Sequence, residues 1–187
     1  MCSDVGLSNG DFEVYILPTD MVSLKPCPRE WHCSGHVVLA DSRTLLWGDP
    51  SCPSGRHFVV IQSYETRSSM RQQVQLDLGT TSYSLSFYAR SMFSKASLPS
   101  LSIIFKGSLV WSFVPGTEWQ LYEIELATAT APPPPTSPPS VSLFSGAADP
   151  PPSAALAVSD ELEFSTGSES GGNVAIALDD VRFTPFG

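Results

Sequence analysis

Basic residues and long apolar runs are both scarce in this sequence. Its 187 residues include 10 lysines and arginines against 19 aspartates and glutamates, which gives a formal net charge of -9. Binding to nucleic acid needs a basic surface that neutralises phosphates, so this balance argues against that class of function. No stretch of about 18 apolar residues is present, so we expect no segment that inserts into a membrane.

Cysteine is absent from the last 135 residues; the four cysteines are Cys2, Cys27, Cys33 and Cys52. An even, clustered set is typical of disulfides that hold an irregular region of a secreted protein, and three pairings are possible. The N-terminus lacks the basic and apolar segments of a signal peptide. We therefore expect a mature form or an excised domain of an extracellular or cell-surface protein.

Helical periodicity is also missing, since no stretch of ten or more residues has the apolar spacing of a helix. Short alternating runs separated by turn residues predict strands instead. Residues 72–78 (QQVQLDL) and 82–90 (SYSLSFYAR) flank a short turn, which predicts an antiparallel hairpin. Further strands are predicted at 10–17, 36–40, 44–47, 57–63, 101–106, 109–114, 119–126, 161–165 and 173–183. The sequence therefore predicts an all-β, antiparallel fold.

Proline is concentrated in one segment, because residues 131–152 hold nine of the 17 prolines. Proline cannot donate a hydrogen bond to a sheet, so we interpret this segment as a surface insertion in a single domain spanning residues 1–187. Its Ser-Pro content is similar to that of hydroxyproline-rich, O-glycosylated wall and matrix proteins of plants and algae. The alternative is an inserted loop without a role.

No catalytic motif is recognisable. The chain has no Gly-x-Ser-x-Gly sequence, and its three histidines have no partner that the sequence identifies. The spacing of Cys27, His32, Cys33 and His36 does not match common zinc fingers. The sequence therefore predicts a protein that is not an enzyme.

Four aromatic residues are candidates for contact with a ligand: Trp31, Trp47, Tyr64 and Tyr88. A flat ring can stack on the apolar face of a sugar. Trp31 and Trp47 lie beside predicted loops, where binding residues concentrate. Tyr88 is out of phase with the core face of its strand. The alternative for each is a core or half-buried aromatic without a ligand, which the sequence favours strongly for Trp119.

The end of the chain, NVAIALDDVRF at 173–183, has an acid where the pattern predicts an apolar residue. Val174, Ile176 and Leu178 alternate as the buried face of a strand, and the next residue in that phase is Asp180. A carboxylate in a core position needs a hydrogen-bond partner, a cation or a local bulge in the strand.

Three segments in this order carry a resemblance to a known superfamily. They are NGDFE at 9–13, the pair QQVQLDLGTTSYSLSFYAR and GTEWQLYEIEL between 72 and 126, and GGNVAIALDDVRF at 171–183. Together they resemble the galactose-binding-like jelly-roll superfamily. The chain is similar to its carbohydrate-binding modules and to plant cell-wall jelly-roll domains, and IALDDVRF is also similar to MAM adhesion domains. The resemblance implies a jelly-roll β-sandwich and covers the chain except the proline-rich insertion.

The resemblance also implies a structural calcium ion beside the first and last strands. Glu13 and one or both of Asp179 and Asp180 would face a common site, since calcium prefers carboxylate and carbonyl oxygens. The alternative is that these acids cap strand ends, or accept hydrogen bonds from the backbone and from Arg182.

The function implied is that of a non-catalytic extracellular binding module, recognising a glycan or a cell-surface or matrix protein. The alternative is a structural subunit of a surface filament or extracellular matrix, which assembles with itself or with other proteins. A strictly monomeric protein at several concentrations would weigh against that alternative.

Overall fold

Two five-stranded sheets pack face to face in the computed structural model, which describes residues 7–14, 27–43, 52–63, 66–77, 80–92, 99–128, 160–167 and 174–186. The strands of these residues, in chain order, are β1 His32–Ser34, β2 His36–Asp41, β3 His57–Ser63, β4 Ser68–Gln73, β5 Ser82–Ser91, β6 Ser100–Phe105, β7 Ser108–Phe113, β8 Gln120–Ala127, β9 Glu161–Gly167 and β10 Val174–Pro185. The first sheet has the order β1-β4-β9-β6-β7 and the second the order β2-β3-β10-β5-β8, with every pairing antiparallel. The predicted all-β sandwich is confirmed.

Helices are absent from the part of the chain that the structure describes. None of these residues therefore belongs to a helix long and apolar enough to cross a membrane.

The core between the sheets follows the period of two that strands impose. In β5, Tyr83, Leu85, Phe87 and Ala89 are fully buried and the residues between them are half-buried. Phe164 from β9 meets Phe87 edge to face at 5.2 Å across the interior. The inward face predicted for this strand is confirmed.

A second, smaller buried cluster lies on the outer face of the second sheet. Its members come from the central strands and their neighbours: Ala40, Phe58, Val60, Ala175 and Ala177. Cys52, Met92 and Trp119 pack against it. Both faces of β3 and β10 are therefore covered, which explains why six consecutive residues of β10 are buried.

A β-bulge resolves the misplaced acid in β10. The pairing with β5 shifts between Asp179 and Arg182, so that Asp180 and Val181 together lie opposite the single residue Phe87. Asp180 takes a positive φ of 48°. The extra residue changes the phase of the strand, so Val181 is buried and Asp180 is not.

The hairpin predicted from residues 72–78 and 82–90 is wrong. β4 ends at Gln73 and pairs with β1 and β9 in the first sheet, whereas β5 pairs with β8 and β10 in the second. Alternation shows that a run buries one face, but it does not specify the strand with which the run pairs.

The first predicted strand, 10–17, is also wrong over residues 10–14, which form a turn. Asn9 organises this turn, because its side-chain oxygen accepts a hydrogen bond from the Val14 amide at 2.9 Å. Phe12 has a positive φ of 59° and is fully buried, whereas Val14 is 51% exposed. Residues 15–17 and the predicted strand at 44–47 lie outside the described residues.

A disulfide joins Cys27 to Cys33 just before and within β1, with the Cα atoms 5.8 Å apart. Cys52 is a free thiol. Of the predicted pair of disulfides, the described residues therefore contain one. Cys2 and the proline-rich insertion at 131–152 lie outside them.

The N-terminal turn docks on the closing strand through Gly10. The Val181 amide donates to the Gly10 carbonyl at 2.9 Å, and a Cβ on Gly10 would lie 1.9 Å from the Val181 carbonyl oxygen.

We therefore expect Gly10→Ala to lower the free energy of unfolding by about 2 kcal/mol or more, because the backbone at Gly10 or Val181 has to move to make room for the methyl group. Urea denaturation measures this loss. Gly116→Ala is the control, since nothing lies within 4 Å of its Cβ position. Equal stabilities of the two variants would contradict this packing.

Candidate functional site

Backbone amides between β2 and β3 bind two carboxylates that come from opposite ends of the chain. The Ser54 amide donates to Asp179 Oδ2 at 2.9 Å. The Arg56 and His57 amides both donate to Glu13 Oε1, the latter at 2.6 Å. We call this arrangement of Glu13, Asp179 and the 54–57 loop the amide clasp.

The loop conformation needs a glycine at its centre. Gly55 has a φ of +62°, and a Cβ there would lie 2.3 Å from Glu13 Oε1. The absence of a side chain at this position lets the carboxylate approach the backbone amides.

The two carboxylates of the amide clasp differ in their acidity. Burial acts to raise the pKa of Glu13, but hydrogen bonds from the His57 and Arg56 amides and from the His57 side chain lower it below its ordinary value. Burial raises the pKa of Asp179 to about 7, against the hydrogen bonds from the Ser54 and Asp180 amides. The negative charges of Asp180 and Glu13 add to that rise. Asp179 therefore keeps its proton to a higher pH than an exposed aspartate does.

Asp180 is held apart from the other two acids. Its carboxylate accepts hydrogen bonds from the Arg182 guanidinium at 2.9 and 2.7 Å, and its amide donates to Asp179 Oδ1 at 2.7 Å. Glu13, Asp179 and Asp180 thus accept hydrogen bonds from the backbone or from Arg182. This is the arrangement that the sequence analysis gave as the alternative to a calcium site.

As arranged, these carboxylates do not fit a calcium ion. Every oxygen of Asp179 accepts an amide hydrogen bond, Glu13 Oε1 accepts two, and Glu13 Oε2 lies 2.9 Å from His57 Nδ1. The described residues contain no group of three or more His, Cys, Asp or Glu side chains that could hold a metal. Calcium stays a prediction, which metal analysis of protein purified in calcium tests.

Cys52 lies near the amide clasp but does not supply a nucleophile. Burial, together with the charge of Asp179, raises the pKa of its thiol to about 12. The thiolate is the reactive form of cysteine, so the raised pKa disfavours a nucleophilic role for Cys52 at neutral pH.

Trp31, the first predicted ligand contact, belongs to the core. It is 5% exposed, and its ring lies 6.0 Å from that of Phe12 and 6.3 Å from that of Phe164. Its Nε1 donates to the Asn9 carbonyl at 3.2 Å. With its surroundings filled in this way, Trp31 offers no platform for a sugar. Trp47 and Tyr64 lie outside the described residues.

Tyr88 lies on the outer face of the second sheet, as its phase predicts. It is half-buried, and it pairs in register with Leu121 on β8 and with Asp179 on β10. Leu121 is 46% exposed. Arg90 shares this face two residues further along β5, and Trp119 directly precedes β8 beside it. We call Tyr88, Arg90, Trp119 and Leu121 the β5–β8 face.

Two N–H donors on the β5–β8 face have no acceptor among the described residues. Arg90 Nε and Trp119 Nε1 are both buried and make no hydrogen bond within this part of the chain. The Arg90 guanidinium carbon lies 5.3 Å from the centre of the Trp119 ring, whose edge contacts Phe58 at a centroid distance of 5.8 Å. Buried polar atoms are nearly always paired, so these two donors call for an explanation such as a water, an ion or a ligand.

Sequence reasoning missed both residues. Trp119 is half-buried against the outer cluster, which agrees with the predicted core or half-buried place but gave no sign of a ligand contact. Arg90 follows Tyr88 by two residues, so its place on the same face was readable from alternation, but its missing acceptor was not.

The outer face of the first sheet is different, because its polar side chains pair with one another. Arg71 lies 3.3 Å from Glu161, and Ser102 lies 3.2 Å from Ser112. A ligand there would have to break existing pairs. At one edge of this sheet is a shallow groove of about 230 Å³ that is lined by Ser8, Glu30, His32, Gln72 and Gln73.

Comparison with known proteins supports the architecture. No family model matches the chain, and no curated protein matches it either. The carbohydrate-binding module TmCBM61, solved with β-1,4-galactotriose, superposes with a TM-score of 0.52 at 16% identity, over 98% of this chain and 100% of that one. A cyclase from Fischerella sp. TAU, solved with 4-(1H-indol-3-yl)butan-2-one, superposes with a TM-score of 0.57 at 12% identity, over 98% and 99%.

Larger proteins contain the same fold as one part. The arabinose-bound α-L-arabinofuranosidase MgGH51 gives a TM-score of 0.57 at 15% identity; the match covers 97% of this chain but 26% of the enzyme. At such identities the likeness concerns the fold alone, and the predicted jelly-roll β-sandwich is confirmed.

The amide clasp predicts a pH dependence of stability. The folded protein keeps a proton on Asp179 up to about pH 7, whereas the unfolded chain releases it near the ordinary value of 3.8. The stability that Asp179 contributes is complete below pH 3.8 and is lost as pH rises towards 7. We expect Asp179→Asn, which cannot ionise, to gain stability relative to the wild type by up to about 1 kcal/mol per pH unit in that window.

Urea denaturation at a series of pH values measures this difference. Glu125→Gln, at an exposed position of β8, is the matched control and should differ from the wild type by a constant amount. Parallel stability curves for Asp179→Asn and the wild type would contradict the raised pKa.

Proposed function

We propose that this protein is a non-catalytic extracellular module that binds glycans through the β5–β8 face. The observation that carries the proposal is the combination, on one face, of aromatic and apolar surface with N–H donors that lack acceptors. A sugar presents the matching chemistry, since its ring has apolar C–H faces and its rim carries oxygen acceptors.

The surface at Tyr88 supports the stacking part of this binding. Tyr88 is half-buried, which fixes the ring while part of it stays accessible, and Leu121 beside it adds exposed apolar area. Both are held by a regular antiparallel pairing, so binding would not require them to be ordered first.

The hydrogen-bonding part rests on Arg90 and Trp119. A protein donor that is buried without an acceptor costs about 1–3 kcal/mol, and a ligand oxygen that reaches it recovers part of this cost. The comparison with TmCBM61, whose solved ligand is β-1,4-galactotriose, suggests a galactose-containing oligosaccharide as the first probe.

Further observations support the extracellular and non-catalytic parts of the proposal. The Cys27–Cys33 disulfide fits an oxidising compartment outside the cell. The absence of catalysis is supported by the protonated Cys52 and by the hydrogen-bonded state of the acids in the amide clasp. A surface or matrix protein that carries glycans would be a partner of the same chemical kind.

Tyr88→Ala tests the location of the site. We expect it to weaken binding of galactose-containing oligosaccharides at least about tenfold, near 1.4 kcal/mol, because the stacking surface is lost. Isothermal titration calorimetry measures the dissociation constants. The matched control is Phe186→Ala, which removes a 56% exposed aromatic ring beyond the opposite end of β5 and should bind like the wild type. An unchanged affinity of Tyr88→Ala for these oligosaccharides would contradict a glycan site on the β5–β8 face.

A further inference from the structure

Arg90 stands apart from the other basic side chains. Seven of the eight arginine and lysine side chains that the structure describes lie within 4.0 Å of a carboxylate: Arg29, Arg43, Arg56, Arg67, Arg71, Lys106 and Arg182. Arg90 is the eighth, and within the described residues it has neither an ion pair nor a hydrogen bond from its guanidinium. Acidic side chains outnumber basic ones in this chain, whose net charge is -9, so a basic side chain without a carboxylate partner is unusual.

The surroundings of Arg90 make its isolation costly. Its Nε is buried, and burial lowers the pKa of its guanidinium. Glu118 attracts it, but from beyond ion-pair distance. Ala177 lies directly opposite it in the pairing of β10 with β5, so the residue across from Arg90 supplies no polar group. A charge taken partly out of water without a counter-charge is unfavourable unless a ligand brings one.

The position of Trp119 beside Arg90 bears on the chemical class of the ligand. Its Nε1–H is a second buried donor without an acceptor, and its ring lies against the Arg90 guanidinium. A guanidinium without a counter-charge matches a carboxylate, which accepts its hydrogen bonds and carries one negative charge. A neutral hydroxyl would satisfy one donor at a time and leave the guanidinium without a counter-charge.

We propose that Arg90 and Trp119 form a subsite for the carboxylate of an acidic sugar, so that the ligand class is a glycan that contains uronic acid. The inference rests on the proposed function, since the sugar ring would stack beside Tyr88 on the same face. Because an acidic peptide has the charge but not the apolar ring face, the partly exposed surface of Tyr88 and Leu121 favours the glycan.

The test compares an acidic and a neutral oligosaccharide of matched size. Isothermal titration calorimetry of the wild type with tri-galacturonic acid and with β-1,4-galactotriose should show at least tenfold tighter binding of the acidic compound. Arg90→Gln should lose at least tenfold in affinity for tri-galacturonic acid. The matched control is Arg71→Gln, whose side chain is 53% exposed, pairs with Glu161 on the first sheet and should keep the preference.

Arg90→Lys covers the possibility that Arg90→Gln does not fold. It keeps the positive charge and the apolar stem but loses Nε and the planar fork, so the preference for the acidic compound should fall here too. Thermal unfolding of each variant shows whether it is folded.

The outcomes separate the two proposals. Equal wild-type affinity for both oligosaccharides would overturn the carboxylate subsite and leave glycan binding standing. Binding of neither would overturn both. A preference that survives in folded Arg90→Gln or Arg90→Lys, or equal binding of a tetraglutamate peptide, would also overturn the acidic-sugar subsite.

Discussion

The amide clasp is the interaction on which the arrangement of this sandwich depends. Glu13 and Asp179 lie 166 positions apart, and one short loop binds both through the amides of Ser54, Arg56 and His57. The loop leads directly into β3, so the clasp fixes the N-terminal turn and the closing strand to the same end of the second sheet. Glu13, whose pKa these amides lower, accepts charge-assisted hydrogen bonds, which are stronger than neutral ones.

The bulge in β10 directly follows the strand residue that belongs to the amide clasp. Asp179 points to the loop, and Asp180 takes up the extra residue with a positive φ, so the strand returns to its inward phase at Val181. Before the bulge, the small residues Ala175 and Ala177 leave space on the outer face, and the outer cluster fills it. Trp119 covers that cluster, and Arg90 lies against Trp119. The same strand therefore connects the clasp to the proposed binding face.

Sequence pattern predicted what depends on local periodicity. The inward face of β5 was readable from its alternation, and the misplaced phase of Asp180 correctly signalled a local irregularity. The pairing of strands was not readable, because a run such as QQVQLDL shows a buried face without naming its neighbour. The turn at 10–14 was mistaken for a strand because apolar residues alternate there by chance, while Asn9 sets a different backbone path. Arg90 and Trp119 were missed since an absent acceptor exists only in three dimensions.

The most direct test of glycan binding at the β5–β8 face is a titration of isotope-labelled protein with a galacturonic acid oligosaccharide, followed by NMR. The account predicts that the largest shifts occur at the backbone amides of Tyr88 and Leu121 and at the side-chain N–H signals of Arg90 and Trp119. Shifts confined to the outer face of the first sheet, or to the groove at Gln72 and His32, would contradict it.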